Sequence, residues 1–460
     1  MTPQASSDRP TVTAQLASYI AAAAHTPIPD DVAALTRLHL LDTVAAIVAC
    51  RDLRAGQVAR AFASTAGRGD VQILGTPDRA ALVDATFASA VIAHGAEIND
   101  FCPSSFVQPG PGVVSTALCV GVARGRTGAE VLRSIAAGYE VACRMPKAIG
   151  IESLRRSGMA CHSIGSLFGV GTTAGALLHL SDLQAVDLIA YCAQQASGSW
   201  QWLLDIEHFE KSFVFGGMAV HNGLHAALLV EAGFSGVPDA LDVDGGWLAG
   251  GLLAGGDRDG LGALVDGLGA DYQIDLVGFK RYPVGGPVQP IVQAMLELMA
   301  DERDVDIVRI HVSMPGAADT FANARMPALN ARYLLALIAI EGGLDFVSAQ
   351  SLERFRGDDE VRQLMTRITV EHDPTQETVP RSESATVTID FADGRTRSRH
   401  VDHVTGYPTH PMSATEVVDK ARTLMAPHFT ADRVSHIVDT VLSIADLDSV
   451  DPIVDAITRP

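Results

Sequence analysis

Lysine is scarce in this 460-residue chain: Lys147, Lys211, Lys280 and Lys420 stand against thirty arginines. Basic residues as a class are also outnumbered, and the formal net charge is −20. A chain this acidic is short of the basic patches that nucleic acid and anionic membrane surfaces require. An anionic small molecule is still allowed, since a local basic pocket can form in an acidic protein. The six cysteines (Cys50, Cys102, Cys119, Cys143, Cys161 and Cys192) include no CxxC pair. Most lie in apolar helical runs, so they read as buried free thiols of a reducing compartment, with no support for an iron–sulfur cluster. The opening MTPQASSDRP lacks an apolar leader core, and no apolar run reaches spanning length free of charge or glycine. These absences predict a cytoplasmic protein with neither a membrane nor a nucleic-acid partner.

What is present is 47% hydrophobic sequence, enough for a large core and two domains. One stretch organises the rest, DIEHFEKSFVFGGMAVHNGLHAALLVEAG at 205–233. Lys211 stands shortly before Gly216-Gly217, and Met218, His221, Leu224, His225 and Leu228 then follow with helical spacing. A lysine ahead of a glycine turn that opens a helix joins an ammonium to free N–H groups, which suits a carboxylate. The same residues also read as a loop–helix junction with a surface lysine. His221 and His225 have zinc-ligand spacing, but no third ligand sits at a recognisable distance, so no metal is expected.

Along the chain, helical periodicity covers 11–24, 30–50, 80–94, 111–123, 127–147 and 181–196, with Thr127 and Asp30-Asp31 as caps. Glu140 and Arg144, four apart, read as a paired carboxylate and guanidinium. Glu97 and Asp100 lie in HGAEINDF, at the end of an apolar helix before a Pro/Gly-rich loop. His162 opens a helix rich in small residues, where a lowered pKa would suit a neutral acid–base group; a capping or core histidine fits equally well. After about Tyr272 the pattern changes. Strand-like alternation at 308–312, 368–372 and 385–391, with a hairpin turn at Asp393-Gly394, signals α+β structure. Helical periodicity returns from Ser413. The expected architecture is mainly α: an all-helical domain built from both chain ends (1–272 and 405–460) around a smaller α+β lid domain (273–404). At the junction, FKRYPVGGPVQ places Lys280 and Arg281 in a glycine-rich loop suited to a carboxylate.

Taken together, AHGAEINDF (93–101), GRTGAEVLRSIAAGYEVACRM (125–145), the His162 segment, EKSFVFGGMAVHNGLHAALLVEAGFSG (210–236), FKRYPVGGPVQ (279–289) and GYPTHPMS (406–413) resemble the MmgE/PrpD family. That family includes 2-methylcitrate dehydratase, cis-aconitate decarboxylase and iminodisuccinate epimerase. The resemblance spans nearly the whole chain. It implies a homodimer, an active site in the cleft between helical domain and lid, and no metal or organic cofactor.

The family's acidic motif resembles Glu97-Ile98-Asn99-Asp100, with Asn99 at an acidic position. Its His-Pro-Gly reads Gln108-Pro109-Gly110 here, and a decarboxylase histidine falls near Gly285. Lys211 falls at or beside the substrate-binding lysine, with Ser212 one residue away; Lys280 matches the Lys-x-Tyr/Phe-Pro lysine, and Tyr333 resembles a lid tyrosine. The resemblance implies catalytic roles for His162, Asp100, Glu97, Lys211, Lys280 and Tyr333, and substrate binding by Lys211, Lys280, Arg281 and Gln108. The reaction expected is a hydro-lyase step on a small di- or tricarboxylate, with His162 moving a proton in partnership with Asp100 or Glu97. An epimerase and an inactive carboxylate-binding protein are the alternatives, and the two missing histidines make decarboxylation the least favoured outcome.

Overall fold

The computed structural model describes residues 10–243, 247–248, 259–302, 306–377 and 383–458; of the opening MTPQASSDRP only Pro10 is among them. Among the described residues the protein is mainly helical, with two large apolar cores. The larger core draws on Leu16 to Val277 and again on Ala421 to Ile457, so both ends of the chain build it.

Helix α1 (Asp30–Cys50) begins with Pro29 at the cap and both aspartates inside the first turn. They therefore face the helix dipole rather than cap it, a correction to the sequence expectation. Helices α2 (Leu82–Ala93), α3 (Gly110–Arg124), α4 (Gly128–Ile149) and α5 (Cys161–Leu177) follow. Thr127 closes a capping box with Glu130. Every residue of α5 is buried. Its small residues make this possible: a methyl on Gly138 of α4 would come within 2.1 Å of Thr173 Oγ1, and one on Gly169 within 2.7 Å of the Gly138 carbonyl. Arg144 donates to Glu140 as expected, and both are buried. All six cysteines are free and buried.

The lysine-bearing stretch departs from its sequence reading. Gly216-Gly217 is not a turn. Residues Phe209–Ser212, Phe213–Gly217 (π-helical) and Met218–Glu231 run on as one helix, α6. The two glycines allow α6 to press against α2. A Cβ on Gly216 would lie 2.5 Å from the Ala90 carbonyl, and one on Gly217 2.6 Å from the Phe87 ring. A π-turn here shifts the register of the following turns, as such bulges do near functional sites. Among the described residues, α1 and α6 are long and apolar enough to cross a membrane, but 78% and 61% of their apolar windows are buried inside the protein.

The second core is built on a four-stranded sheet of β1 (Ile307–Met314), β2 (Ile368–His372), β3 (Ala385–Phe391) and β4 (Thr396–Val401), in the order β2-β1-β3-β4. Strand β1 pairs parallel with β2 (Ile310↔Ile368) and antiparallel with β3 (Ile310↔Ile389); β3 and β4 form the expected hairpin. Ala385, Val387, Ile389 and Phe391 alternate inward, toward α7 (Gln289–Met299) and α8 (Ala331–Glu341). The chain returns to the helical body through α9 (Ala414–Met425) and α10 (Ala431–Leu442).

Three distant segments meet where the two cores adjoin. Phe101 and Gly278 exchange backbone hydrogen bonds of 3.0 and 2.7 Å, and Phe279 N–H donates to the Gly406 carbonyl at 2.8 Å. Gly406 takes φ +104°, and a Cβ there would lie 2.1 Å from the Phe279 carbonyl. This crossing carries Lys280 to the segment that holds Glu97.

Candidate active site

Helix α2 ends at Ala93 with His94 as its C-cap, and the short irregular segment that follows turns Glu97 inward. Asn99 fastens that segment by donating its amide to the Ala93 carbonyl. The acidic position of the family motif thus carries a loop fastener here. Glu97 is fully buried and accepts from three groups. Lys280 Nζ donates to Oε2 at 3.0 Å, while His208 Nε2 (3.0 Å) and the Lys211 ammonium donate to Oε1. Both lysines are buried as well. Burial raises the Glu97 pKa, but Lys211 and Lys280, joined by His208, outweigh it and hold the carboxyl well below its usual range. Burial, with Lys280 alongside, lowers Lys211 below the usual lysine range despite Glu97.

His208 reaches the site from an unusual backbone. It precedes α6 with φ 66°, uncommon for a non-glycine residue and often found at functional positions. Its Nδ1 lies 3.0 Å from Ser212 Oγ, and that hydroxyl donates to the His94 carbonyl at 2.9 Å. Asp205 accepts from the Lys211 N–H at 2.9 Å and so anchors the first turn of α6. The ambiguity between positions 211 and 212 resolves in space: both side chains belong to the cluster. The Lys211 ammonium pairs with Glu97 rather than lying free at a helix N-terminus as first expected.

Gln108 bridges the cluster, accepting from Lys280 Nζ at 3.2 Å and from His94 Nε2 at 2.8 Å. His94 Nδ1 is left buried without a partner. Burial, then the neighbouring His208, lowers its pKa well below the usual range, so the ring is neutral. His162 shares aromatic neighbours with Lys211. Its ring centroid sits 4.2 Å from Phe215, 5.1 Å from Trp202 and 4.9 Å from Trp200. Lys211 Nζ lies over the same Trp202 and Phe215 rings, at 4.7 and 5.3 Å. His162 Nδ1 also has no partner, and burial, followed by Lys211, lowers its pKa well below normal. The site therefore offers two ammonium groups, an ionised carboxylate and two neutral imidazoles with free ring nitrogens, in a closed and partly aromatic environment.

Several residues selected from the sequence do not join this cluster. Asp100 does not partner His162. It accepts from His39 Nδ1 (2.9 Å), the Gly110 N–H (3.1 Å) and the Tyr139 hydroxyl, within a second buried network. Arg281 pairs at 2.6 Å with Glu416, and both are partly exposed. The chain bends from Arg281 onward, and Lys280 is buried while Arg281 is exposed. Tyr333 is buried in the core of the α+β part, packed on Phe355, with its hydroxyl donating to the Ser348 carbonyl at 2.7 Å. His221 and His225 lie with ring centroids 5.9 Å apart, and His221 Nδ1 is 3.1 Å from Asn222 Oδ1. Sequence reasoning missed His208 and His94 in the cluster, and His39, Asp42, Tyr139 and Lys420 in the network behind it. Lysine scarcity was the available signal for Lys420. Its ammonium is buried between Asp42 Oδ1 (2.6 Å) and the carbonyl of Ile98 (2.8 Å), the residue after Glu97.

Comparison with known proteins agrees with the geometry. The MmgE/PrpD N-terminal domain matches residues 14–255 and the MmgE/PrpD C-terminal domain residues 282–444. A cis-aconitate decarboxylase of Aspergillus terreus is 24% identical over 98% of this chain and 96% of its own length. A cis-aconitate decarboxylase-like protein, oryM, of Aspergillus oryzae is 24% identical over 94% of each chain. With both domain models matched in order across most of its length, this chain belongs to the MmgE/PrpD family.

Proposed function

We propose that this protein is a cofactor-independent lyase acting on a small di- or tricarboxylate. The observation that carries the reading is the pairing of Lys211 and Lys280 around Glu97, in a site where the His94 and His162 rings are held neutral. Two buried ammonium groups against one carboxylate leave positive charge for an anionic substrate. Removing a proton next to a carboxylate requires a base and stabilisation of the enolate-like state. His162 Nδ1 is the base in this reading. Lys211, with its pKa lowered, is the acid that protonates a departing hydroxyl, and Lys280 with Gln108 holds the developing negative charge. An acid and a base beside the same pair of aromatic rings suit elimination of water. The α+β part acts as the lid, and entry to the buried cluster requires it to open. A homodimer of this lid-bearing chain, in the cytoplasm, completes the proposal.

Decarboxylation is the second reading. The names of the relatives favour it. So does the aromatic wall of Trp202 and Phe215, since an apolar surround weakens a carboxylate's hold on its charge and eases loss of CO2. Proton NMR in D2O separates the two, with 2-methylcitrate, citrate, cis-aconitate, malate, tartrate and iminodisuccinate as the panel. An alkene signal arising from a hydroxy acid supports the hydro-lyase. Release of CO2 from cis-aconitate supports the decarboxylase. Loss of an alpha-proton signal without an alkene or CO2 overturns both in favour of an epimerase, and silence across the panel defeats the lyase proposal for these acids.

A further inference from the structure

A cavity of about 380 Å³ lies between the α+β part and the loop that leads into α6. Ile206 forms one side; Asn330, Arg325, Arg332 and Arg356 form the other. The charge balance of this cavity is unusual for so acidic a chain. No acidic side chain lines it. Among the described residues, none of the three arginines has an acidic partner, whereas Arg354 nearby pairs with both Glu341 and Asp358. Arg332 makes one long contact, 3.4 Å to Asn323 Oδ1, and its Nε is buried with no hydrogen-bond partner. A buried guanidinium N–H left unpaired is costly and calls for an acceptor. Asn330 caps the eleven-residue helix α8, so the positive end of its dipole opens at the same place.

We infer that Arg325, Arg332 and Arg356 form a second anion-binding site, which collects a polycarboxylate at the approach to the Glu97 cluster. The inference deepens the proposed function and rests on it for the identity of the anion. Three guanidiniums and a helix N-terminus match two carboxylates of one small molecule by paired, charge-assisted hydrogen bonds. The position gives the site its use. Ile206 directly follows Asp205, which holds the Lys211 N–H, so an anion in this cavity sits against the loop that anchors a lysine of the buried cluster. The net charge of −20 repels an anionic substrate at long range, and a local basic mouth offsets that repulsion and raises the on-rate.

Calorimetric titration of the full chain with citrate, and separately with inorganic phosphate, tests this at 20 and 200 mM salt. The comparison variant carries Arg325→Gln, Arg332→Gln and Arg356→Gln, with its melting temperature checked against wild type. The expected result is citrate binding weakened about tenfold or more in the variant, with much less dependence on salt. Equal affinity and equal salt dependence in the two proteins overturn the site. Wild-type binding of phosphate but not citrate overturns its role in collecting polycarboxylates. Failure of the lyase proposal reads differently: citrate then binds at the arginines while no acid of the NMR panel turns over.

Discussion

Two buried carboxylates, Glu97 on the short segment after α2 and Asp42 on α1, behave in opposite ways. Each is removed from water, and each meets lysine. Glu97 meets two ammonium groups and His208, and its carboxyl is held well below the usual range. Asp42 meets Lys420 alone. Burial then outweighs the one ammonium, and its carboxyl is raised. One cation does not offset the desolvation of a fully buried carboxylate, whereas two with an imidazole do. The two networks also differ in what surrounds their unpaired atoms, which in the second network are His39 Nε2 and Asp42 Oδ2. The cluster around Glu97 has two neutral imidazoles with free nitrogens, His94 and His162, in a setting rich in cations. The network around Asp42 and Asp100 ties α1, α4, α9 and the Glu97 segment together through His39, Tyr139 and Lys420. The first arrangement sets free ring nitrogens beside ammonium groups, and the second fastens the segment that carries Glu97.

The sharpest way to break this contrast is to give Glu97 the surroundings of Asp42. Lys280→Met leaves it with one ammonium. Urea unfolding at pH 7 should then show a loss of about 3–5 kcal/mol, the range for one partner removed from a buried pair, and turnover should fall about 100-fold or more. A stability loss below about 1 kcal/mol would mean that the second lysine does not hold Glu97 ionised. Lys420→Met should cost less, about 1–3 kcal/mol, because Asp42 can take a proton instead of remaining charged and unpaired. The double variant Asp42→Leu with Lys420→Met should recover most of that loss; no recovery would show that the Ile98 carbonyl, not Asp42, is the important partner of Lys420.

The pH dependence of stability provides a finer test. The His94 and His162 pKa values are lowered by burial, so the unfolded chain binds protons there that the folded chain does not. Their contribution is complete above the ordinary imidazole value of about 6.5. It is lost as pH falls from there toward the lowered folded values, at up to about 1.4 kcal/mol per pH unit for each ring. Glu97 adds to the same trend below about pH 4.3, its ordinary carboxyl value, while raised Asp42 acts in the opposite sense as pH rises through that region. Melting temperatures between pH 7.5 and 5 should fall, and His162→Phe should flatten the fall. An identical slope in the variant would show that His162 is not held neutral. The smallest effect belongs to Tyr333. Tyr333→Phe should cost about 1 kcal/mol from one lost hydrogen bond and leave kcat within about twofold; a tenfold drop in kcat would return the tyrosine to the catalytic site.

The parts of the fold that were legible depend on local order. Thr127 and Ser181 announce their helices through capping boxes, and the alternation at 385–391 gives its strand directly. Glu97, Lys211 and Lys280 were legible as scarce or clustered charges, and the structure joins all three. His162 was legible as a helix opener, but its aromatic surroundings come from Trp200, Trp202 and Phe215, distant in sequence. Gly216-Gly217 misled because glycine serves turns and close packing alike, and only the position of α2 distinguishes them here. Tyr333 and Arg281 misled because a motif gives a residue's place in the chain without giving the direction of its side chain.

The sequence alone therefore determined the mainly helical character, the strands that supply the second core, and the scarce charges that meet in the buried cluster. All of these follow from local periodicity and from composition. Tertiary structure alone decided that His208 takes a left-handed backbone to reach Glu97, that Lys420 supports the loop from far along the chain, and that Asp100 meets His39, Gly110 and Tyr139 rather than His162. These are consequences of burial. Once water is excluded, each buried charge must find its partner inside the protein, and only the folded chain decides which one it meets.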